Sequence, residues 1–66
     1  MTVTVNGKSR EVPSGTTVAQ VIATLTSQPS GIAAAVNGEV VPRGGWAVRA
    51  LCDRDQVEVV TAVQGG

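Results

Sequence analysis

TVTVNGKSREVP, residues 2–13, decides how this chain begins to fold. Thr2-Val3-Thr4-Val5-Asn6 alternates polar and apolar side chains, the period of two expected of a strand with one buried face. Asn6-Gly7 follows, a dipeptide that favours a tight hairpin turn because both residues tolerate positive φ. Ser9 to Val12 then forms the returning strand, and Pro13, which has no backbone N–H to give a ladder, ends it. The chain opens with a β-hairpin.

Working outward, Pro13-Ser14-Gly15 is turn chemistry that leads into a helix. Thr17 with Gln20 three residues later fits a capping box, in which each side chain satisfies a free backbone N–H of the other residue. Val18, Val21, Ile22 and Leu25 fall at i, i+3, i+4 and i+7 and make one apolar stripe. Because β-branched residues lower helix propensity, packing on a sheet must hold this helix. With Leu25 in the stripe, Leu25→Ala is expected to cost ~2–5 kcal/mol. Ser27, Pro29, Ser30 and Gly31 stop the helix. Ile32-Ala33-Ala34-Ala35-Val36 is ambiguous, since alanine prefers helix. Gly31 before it and Asn37-Gly38 after it favour a short strand running into a turn. Glu39-Val40-Val41 is the next strand piece, closed by Pro42. Gly44-Gly45 loosens the chain before Trp46, and Ala47 to Cys52 carries the apolar Val48 and Leu51. Asp53 to Gln56 is a polar turn, and Val57-Glu58-Val59-Val60 is a final strand with Val57 and Val59 on one face.

The order is hairpin, helix, then two or three further strands, which is α+β architecture. It is the order of a β-grasp, or ubiquitin-like, fold: a mixed four- to five-stranded sheet with one main helix packed across one face. Other small α+β sheets share that order. Residues 1–60 are expected to form the domain and residues 61–66 a flexible C-terminal tail.

Composition removes several chemistries. Among 66 residues there are thirteen Val and no Phe, Tyr or His. Without imidazole, neither Ser-His-Asp nor Cys-His catalysis is available within the chain. A single Cys makes no internal disulfide, and no CxxC or His/Cys cluster offers a zinc site. Five basic residues balance five acidic ones, and Trp46 is the sole aromatic residue able to stack on a base. Nucleic acid is therefore not an expected partner. No apolar run approaches ~18 residues, so a membrane is not expected either. The expected setting is the cytoplasm.

After the last strand come Thr61-Ala62-Val63-Gln64-Gly65-Gly66. Six extended residues reach ~20 Å at ~3.3 Å each, far enough to enter a partner's active site. Two terminal glycines carry no Cβ, so the end can thread a channel too narrow for side chains. The α-carboxylate is an anion at pH 7. Its oxygen becomes a leaving group after attack on the α-phosphate of ATP, which forms an acyl-adenylate. The phosphate cradle and metal for that step are missing from this sequence and must sit on another protein. The bland alternative for Gly65-Gly66 is a frayed polar end.

At this point a family resemblance is visible. Val36-Asn37-Gly38-Glu39-Val40-Val41-Pro42-Arg43, then Trp46, Leu51, Asp55, Val57-Glu58-Val59-Val60 and Ala62-Val63-Gln64-Gly65-Gly66 resemble the ThiS family, the sulfur carrier proteins of thiamin biosynthesis. Val5-Asn6-Gly7 and Thr17-Val18 also fit, so the likeness spans nearly the whole chain. It implies that Gly66 is adenylated by an activating enzyme, an adenylyltransferase related to ubiquitin-activating enzymes. ATP is consumed there, and the carrier itself binds no cofactor. Gly66 then becomes a C-terminal thiocarboxylate, with sulfur from a donor such as a cysteine desulfurase, and delivers it to thiazole synthase. Val63, Gln64 and Gly65 are implied to carry Gly66 into those active sites. The chain is then a protein co-substrate, not an enzyme. One departure stands out: the family's turn before the last strand reads Gly-Asp, and here Arg54 precedes Asp55. Arginine disfavours positive φ, which raises the prospect of a different turn geometry.

The remaining candidates weigh as follows. Cys52 reads as a small buried hydrophobe at a strand end, since nothing cationic nearby favours its thiolate. Trp46 is a core-edge packer or an interface anchor. Arg43 and Arg49 could pair with acidic groups of a partner, although lone surface arginines are usually just solvated. Asp53-x-Asp55 is too sparse a set to hold a metal, and Gly44-Gly45 reads as a flexible loop. Two other functions use a similar body and tail: the small subunit of molybdopterin synthase, and a ubiquitin-like protein modifier. A passive interaction module is a further possibility. Short length, absence of Phe and the Val-Gln-Gly-Gly ending favour the thiamin branch.

Overall fold

Two Asn-Gly turns shape the sheet. A computed structural model describes residues 1–26 and 31–61. Strand β1 (Thr2–Val5) turns through Asn6 and Gly7, both at positive φ, into β2 (Lys8–Glu11). Strand β3 (Ile32–Val36) turns through Asn37 and Gly38, also at positive φ, into β4 (Glu39–Val41). Two left-handed residues in succession give the turn whose twist matches that of the flanking strands. The last strand, β5 (Gln56–Thr61), lies between the hairpins, so the sheet order is β2-β1-β5-β3-β4. β5 runs parallel to β1 and antiparallel to β3, pairing as far as Thr61 with Ile32. The five-stranded mixed sheet is the expected α+β, β-grasp architecture, and the strand continues one residue beyond the expected domain boundary at residue 60.

The helix α1 (Val18–Leu25) starts where the sequence places it, with the full capping box on Thr17 and Gln20. Thr17 N–H donates to Gln20 Oε1 at 2.8 Å, and Gln20 N–H donates to Thr17 Oγ1 at 3.3 Å. The other free N–H groups of the first turn reach backbone carbonyls: Val18 to Arg49 at 3.0 Å and Ala19 to Trp46 at 3.1 Å. Segment 46–49 therefore closes the helix start as a set of acceptors, and helix and loop need each other.

The core is built from small branched side chains: Val3, Val5, Ala34, Val36, Val41 and Val57 from the sheet, and Val18, Val21 and Ile22 from the helix. Trp46 and Leu51 fill the side of this core from the loop between β4 and β5. Leu25 does not join it. The helix ends there, and Leu25 remains 37% exposed, so the helix stripe has three buried members rather than four.

Further corrections concern the long loop. Gly44-Gly45 is not a loose segment but part of a 3-10 turn, Arg43–Gly45, with Gly45 N–H donating to Pro42 C=O at 2.8 Å. Segment 47–52 forms no strand; Ala50 makes one isolated bridge with Thr17, and Val48 is 82% exposed. Cys52 is exposed with a free thiol, not buried. Asp55 is what organises its turn. One carboxylate oxygen accepts from Cys52 N–H at 2.7 Å and the other from Asn37 Nδ2 at 2.9 Å. Asn37 Oδ1 also accepts from Gln56 N–H at 2.9 Å, so the β3–β4 turn grips the start of β5.

Within this turn Arg54 sits at φ +71°, in the left-handed region that ordinarily favours glycine. The surroundings hold it there: Arg54 N–H donates to Thr2 C=O at 2.6 Å, and Asp53 Oδ1 accepts from Thr2 N–H at 2.8 Å.

Two consequences are measurable by urea unfolding. Ile22→Ala should cost ~2–5 kcal/mol, whereas Leu25→Ala should cost about 1 kcal/mol or less because it empties little buried volume. Equal losses would contradict the burial pattern. A left-handed conformation strains a side-chain-bearing residue by ~1–2 kcal/mol, and the entropy glycine loses on folding offsets part of that, so Arg54→Gly should stabilise the domain by roughly 0.5–1 kcal/mol. A lowered midpoint would show that arginine's contacts outweigh its strain.

Candidate functional site

The four residues expected to do the work, Val63, Gln64, Gly65 and Gly66, lie outside the described residues. The structure does define what carries them. β5 is the central strand, hydrogen-bonded on both flanks, and Thr61 is the last described residue before them.

On the β3 flank the ladder covers all of β5 but its first residue, from Val57 opposite Val36 to Thr61 opposite Ile32. On the β1 flank it is much shorter, with only Gln56 opposite Thr4 and Val57 opposite Val5 in register. Asn6 extends it. Its backbone N–H donates to Val57 C=O at 2.9 Å, while its side chain accepts from Val59 N–H at 2.8 Å and donates to Val59 C=O at 3.0 Å. The complementary pair of groups at Val59 fixes which end of the amide is oxygen. Asn6 had been legible only as a turn residue. The signal for its second role is that an asparagine in a left-handed turn beside a parallel strand has a carboxamide free to act as a peptide group.

The sheet face opposite α1 is open and in part apolar. Val40, 71% exposed, and Val60, 59% exposed, stand there with Ala33, Ala35 and Glu58 around a shallow hollow. Val60 lies on β5 itself, next to Thr61. These two large apolar side chains, Val40 on β4 and Val60 on the strand that leads into residues 62–66, form an exposed patch of the kind that marks a contact surface.

Of the two roles open to Trp46, core packer or interface anchor, the structure shows the first. Trp46 is only 5% exposed, and its indole N–H donates to Val41 C=O at 2.9 Å; it packs the core. Arg43 is exposed, with its guanidinium 5.9 Å from the centre of the Trp46 ring, so the tryptophan serves as a shelf for the arginine. Arg49 makes an exposed 3.5 Å ion pair with Glu39, a contact of small energetic weight. Asp53 and Asp55 both spend carboxylate oxygens on backbone N–H groups. Among the described residues no group of three or more His, Cys, Asp or Glu is placed to hold a metal ion, and no helix is long and apolar enough to cross a membrane.

Comparison with known proteins agrees with this geometry. The family model described as the ThiS family matches residues 3–66. The "Sulfur carrier protein ThiS" of Escherichia coli (strain K12) is 30% identical over 66 residues, covering 100% of both chains. The crystal structure of a thiamine biosynthesis protein (ThiS) from Geobacter metallireducens is similar with a TM-score of 0.83 at 30% identity, covering 100% of each chain. An NMR solution structure of a thiamine biosynthesis protein from the same organism has a TM-score of 0.78 at 30% identity, covering 100% of this chain and 88% of that one.

Proposed function

This chain belongs to the ThiS family, and on that basis we infer that it acts as a sulfur carrier protein of thiamin biosynthesis. The observation that carries the reading is the match across residues 3–66, which takes in both the β-grasp body and the Gly-Gly end.

In this reading the reacting atoms are the C-terminal carboxylate of Gly66. A carboxylate resists attack because its departing group would be an oxide ion. An activating enzyme removes that obstacle. A carboxylate oxygen attacks the α-phosphorus of ATP, pyrophosphate leaves, and the product is an acyl-adenylate. A persulfide on a donor such as a cysteine desulfurase then displaces AMP to give an acyl disulfide, and a thiol reductant cleaves its S–S bond, leaving the terminus as a thiocarboxylate and the donor sulfur as part of a disulfide with the reductant. The thiocarboxylate is anionic and nucleophilic near neutral pH, and it hands its sulfur to thiazole synthase. The carrier supplies no base, metal or cofactor in this scheme; it is a co-substrate of both enzymes, acting in the cytoplasm. Its contribution is to keep the sulfur tethered and to hold it at high effective concentration in each active site.

The open sheet face is the proposed docking surface for the activating enzyme. Val40 and Val60 would meet an apolar patch there, and Val60 lies on the strand that feeds residues 62–66, so docking and delivery share one element. The exposed thiol of Cys52 fits a reducing compartment.

Incubation with the activating enzyme, ATP and a sulfur donor should add to the intact chain the mass difference of sulfur for oxygen. Appearance of the chain on larger proteins through an isopeptide bond would instead identify a protein modifier. Deleting Gly66 should abolish adenylation while leaving the unfolding midpoint unchanged, because a terminal glycine has no side chain to bury. A truncated chain that is still adenylated would falsify the assignment of the reacting atom. Gly65→Leu should reduce turnover far more than docking affinity, since the side chain obstructs the channel and not the body; equal losses would argue against a narrow channel. Val60→Glu should do the reverse and weaken docking by roughly tenfold or more, the effect expected of charging the centre of an apolar contact.

A further inference from the structure

We propose that Asn6 is a positioning residue for sulfur transfer: its carboxamide, standing in for a peptide group, pins β5 at Val59 and fixes the direction in which the end of β5 points. This rests on the sulfur-carrier reading, and it assigns to a hairpin turn a part in that chemistry.

In a parallel ladder, a residue that donates its N–H to one carbonyl of the neighbouring strand accepts, through its own carbonyl, from the N–H two residues further along. Asn6 makes the first of these bonds, from its N–H to Val57 C=O at 2.9 Å. At φ +50° its backbone is already turning toward Gly7 and β2. The side chain takes over, accepting from Val59 N–H at 2.8 Å and donating to Val59 C=O at 3.0 Å. One carboxamide thus satisfies both backbone groups of Val59 on the flank where strand β1 has ended.

The position matters because of leverage. An extended segment from Val59 to Gly66 would span ~23 Å at ~3.3 Å per residue, so a swing of about 15° at its root displaces its end by about 6 Å. Group transfer tolerates errors of about 1 Å. On the β3 side the root is secured by a complete ladder to Thr61. On the β1 side the security beyond Val57 comes from Asn6. Losing it would leave docking on the sheet face intact but spread the end over more positions once docked, lowering the fraction poised to react.

A glycine keeps the left-handed turn and removes both side-chain bonds, so Asn6→Gly tests the pin without adding strain. Asn37→Gly is the control, because Asn37 grips β5 at its other end, through Gln56 N–H and Asp55. Amide exchange on the free protein should be about tenfold faster at Val59 in Asn6→Gly, with Val36 and Val57 unchanged. In adenylation assays kcat should fall roughly three- to tenfold while KM for the carrier is unchanged. Asn6→Asp, which retains the acceptor and loses the donor, should fall between. Asn37→Gly should lower the unfolding midpoint yet leave kcat unaltered, which separates positioning from stability. Wild-type kcat in Asn6→Gly, or an equal loss in Asn37→Gly, would overturn the proposal. Unchanged exchange at Val59 would overturn the pin alone, whereas a wild-type chain that is never adenylated would overturn the sulfur-carrier reading beneath it.

Discussion

Everything in this domain depends on the insertion of β5 between two hairpins. β1–β2 and β3–β4 are local structures, each closed by its own Asn-Gly turn, and in the sheet they meet only through β5. The helix α1 carries the chain from the outer strand of one hairpin toward the other and leaves the central slot for a segment that comes later. A central strand must have its N–H and C=O groups satisfied on both flanks. β5 achieves this with a short parallel ladder, a longer antiparallel one, and two asparagine side chains at their margins. The pairing of Thr4 with Gln56 closes a loop of roughly fifty residues, so it is an entropically costly contact of the fold.

That arrangement suits a carrier. The strand paired on both flanks inside the body is also the one that runs directly into residues 62–66. In the proposed reading, docking on the open sheet face and delivery of Gly66 would share that strand. The rest is economical: among the described residues eleven hydrophobics are buried, mostly valines, and one of the eleven is Trp46, hydrogen-bonded to Val41. The side chains of that core serve packing.

Much of this was legible in the sequence, for local reasons. Asn6-Gly7 and Asn37-Gly38 demanded left-handed turns, Thr17 and Gln20 matched a capping box, and Val57 to Val60 alternated like a strand; short-range sterics and hydrogen bonding settle each of these. The failures share a different character. Leu25 matched the helical stripe, but the helix ends at that residue and the sheet does not cover it. Cys52 looked like a buried hydrophobe, but Asp55 pulls its backbone into a surface turn. Trp46 offered two roles until the Val41 carbonyl and Ala19 N–H tied its segment to the helix start. Arg54 was expected to resist a conformation that bonds to Thr2, far away in sequence, impose on it. The pinning of Val59 by Asn6 was hidden likewise, because it joins residues at opposite ends of the chain.

The outer strand β2 has one further property. Its four residues, Lys8-Ser9-Arg10-Glu11, are all exposed, and it forms one border of the sheet. The two-residue turn makes Val5 and Lys8 a hydrogen-bonded pair, so by alternation the outward-facing backbone groups belong to Ser9 and Glu11. A second copy adding antiparallel to that border would have to match outward residues with outward residues. Ser9 against Ser9 sets Lys8 opposite Arg10; Ser9 against Glu11 sets Arg10 opposite its own counterpart; Glu11 against Glu11 opposes two carboxylates. Every antiparallel self-match therefore brings like charges face to face. Electrostatic repulsion written into four residues discourages two of these molecules from joining antiparallel through this border, even when they are crowded together.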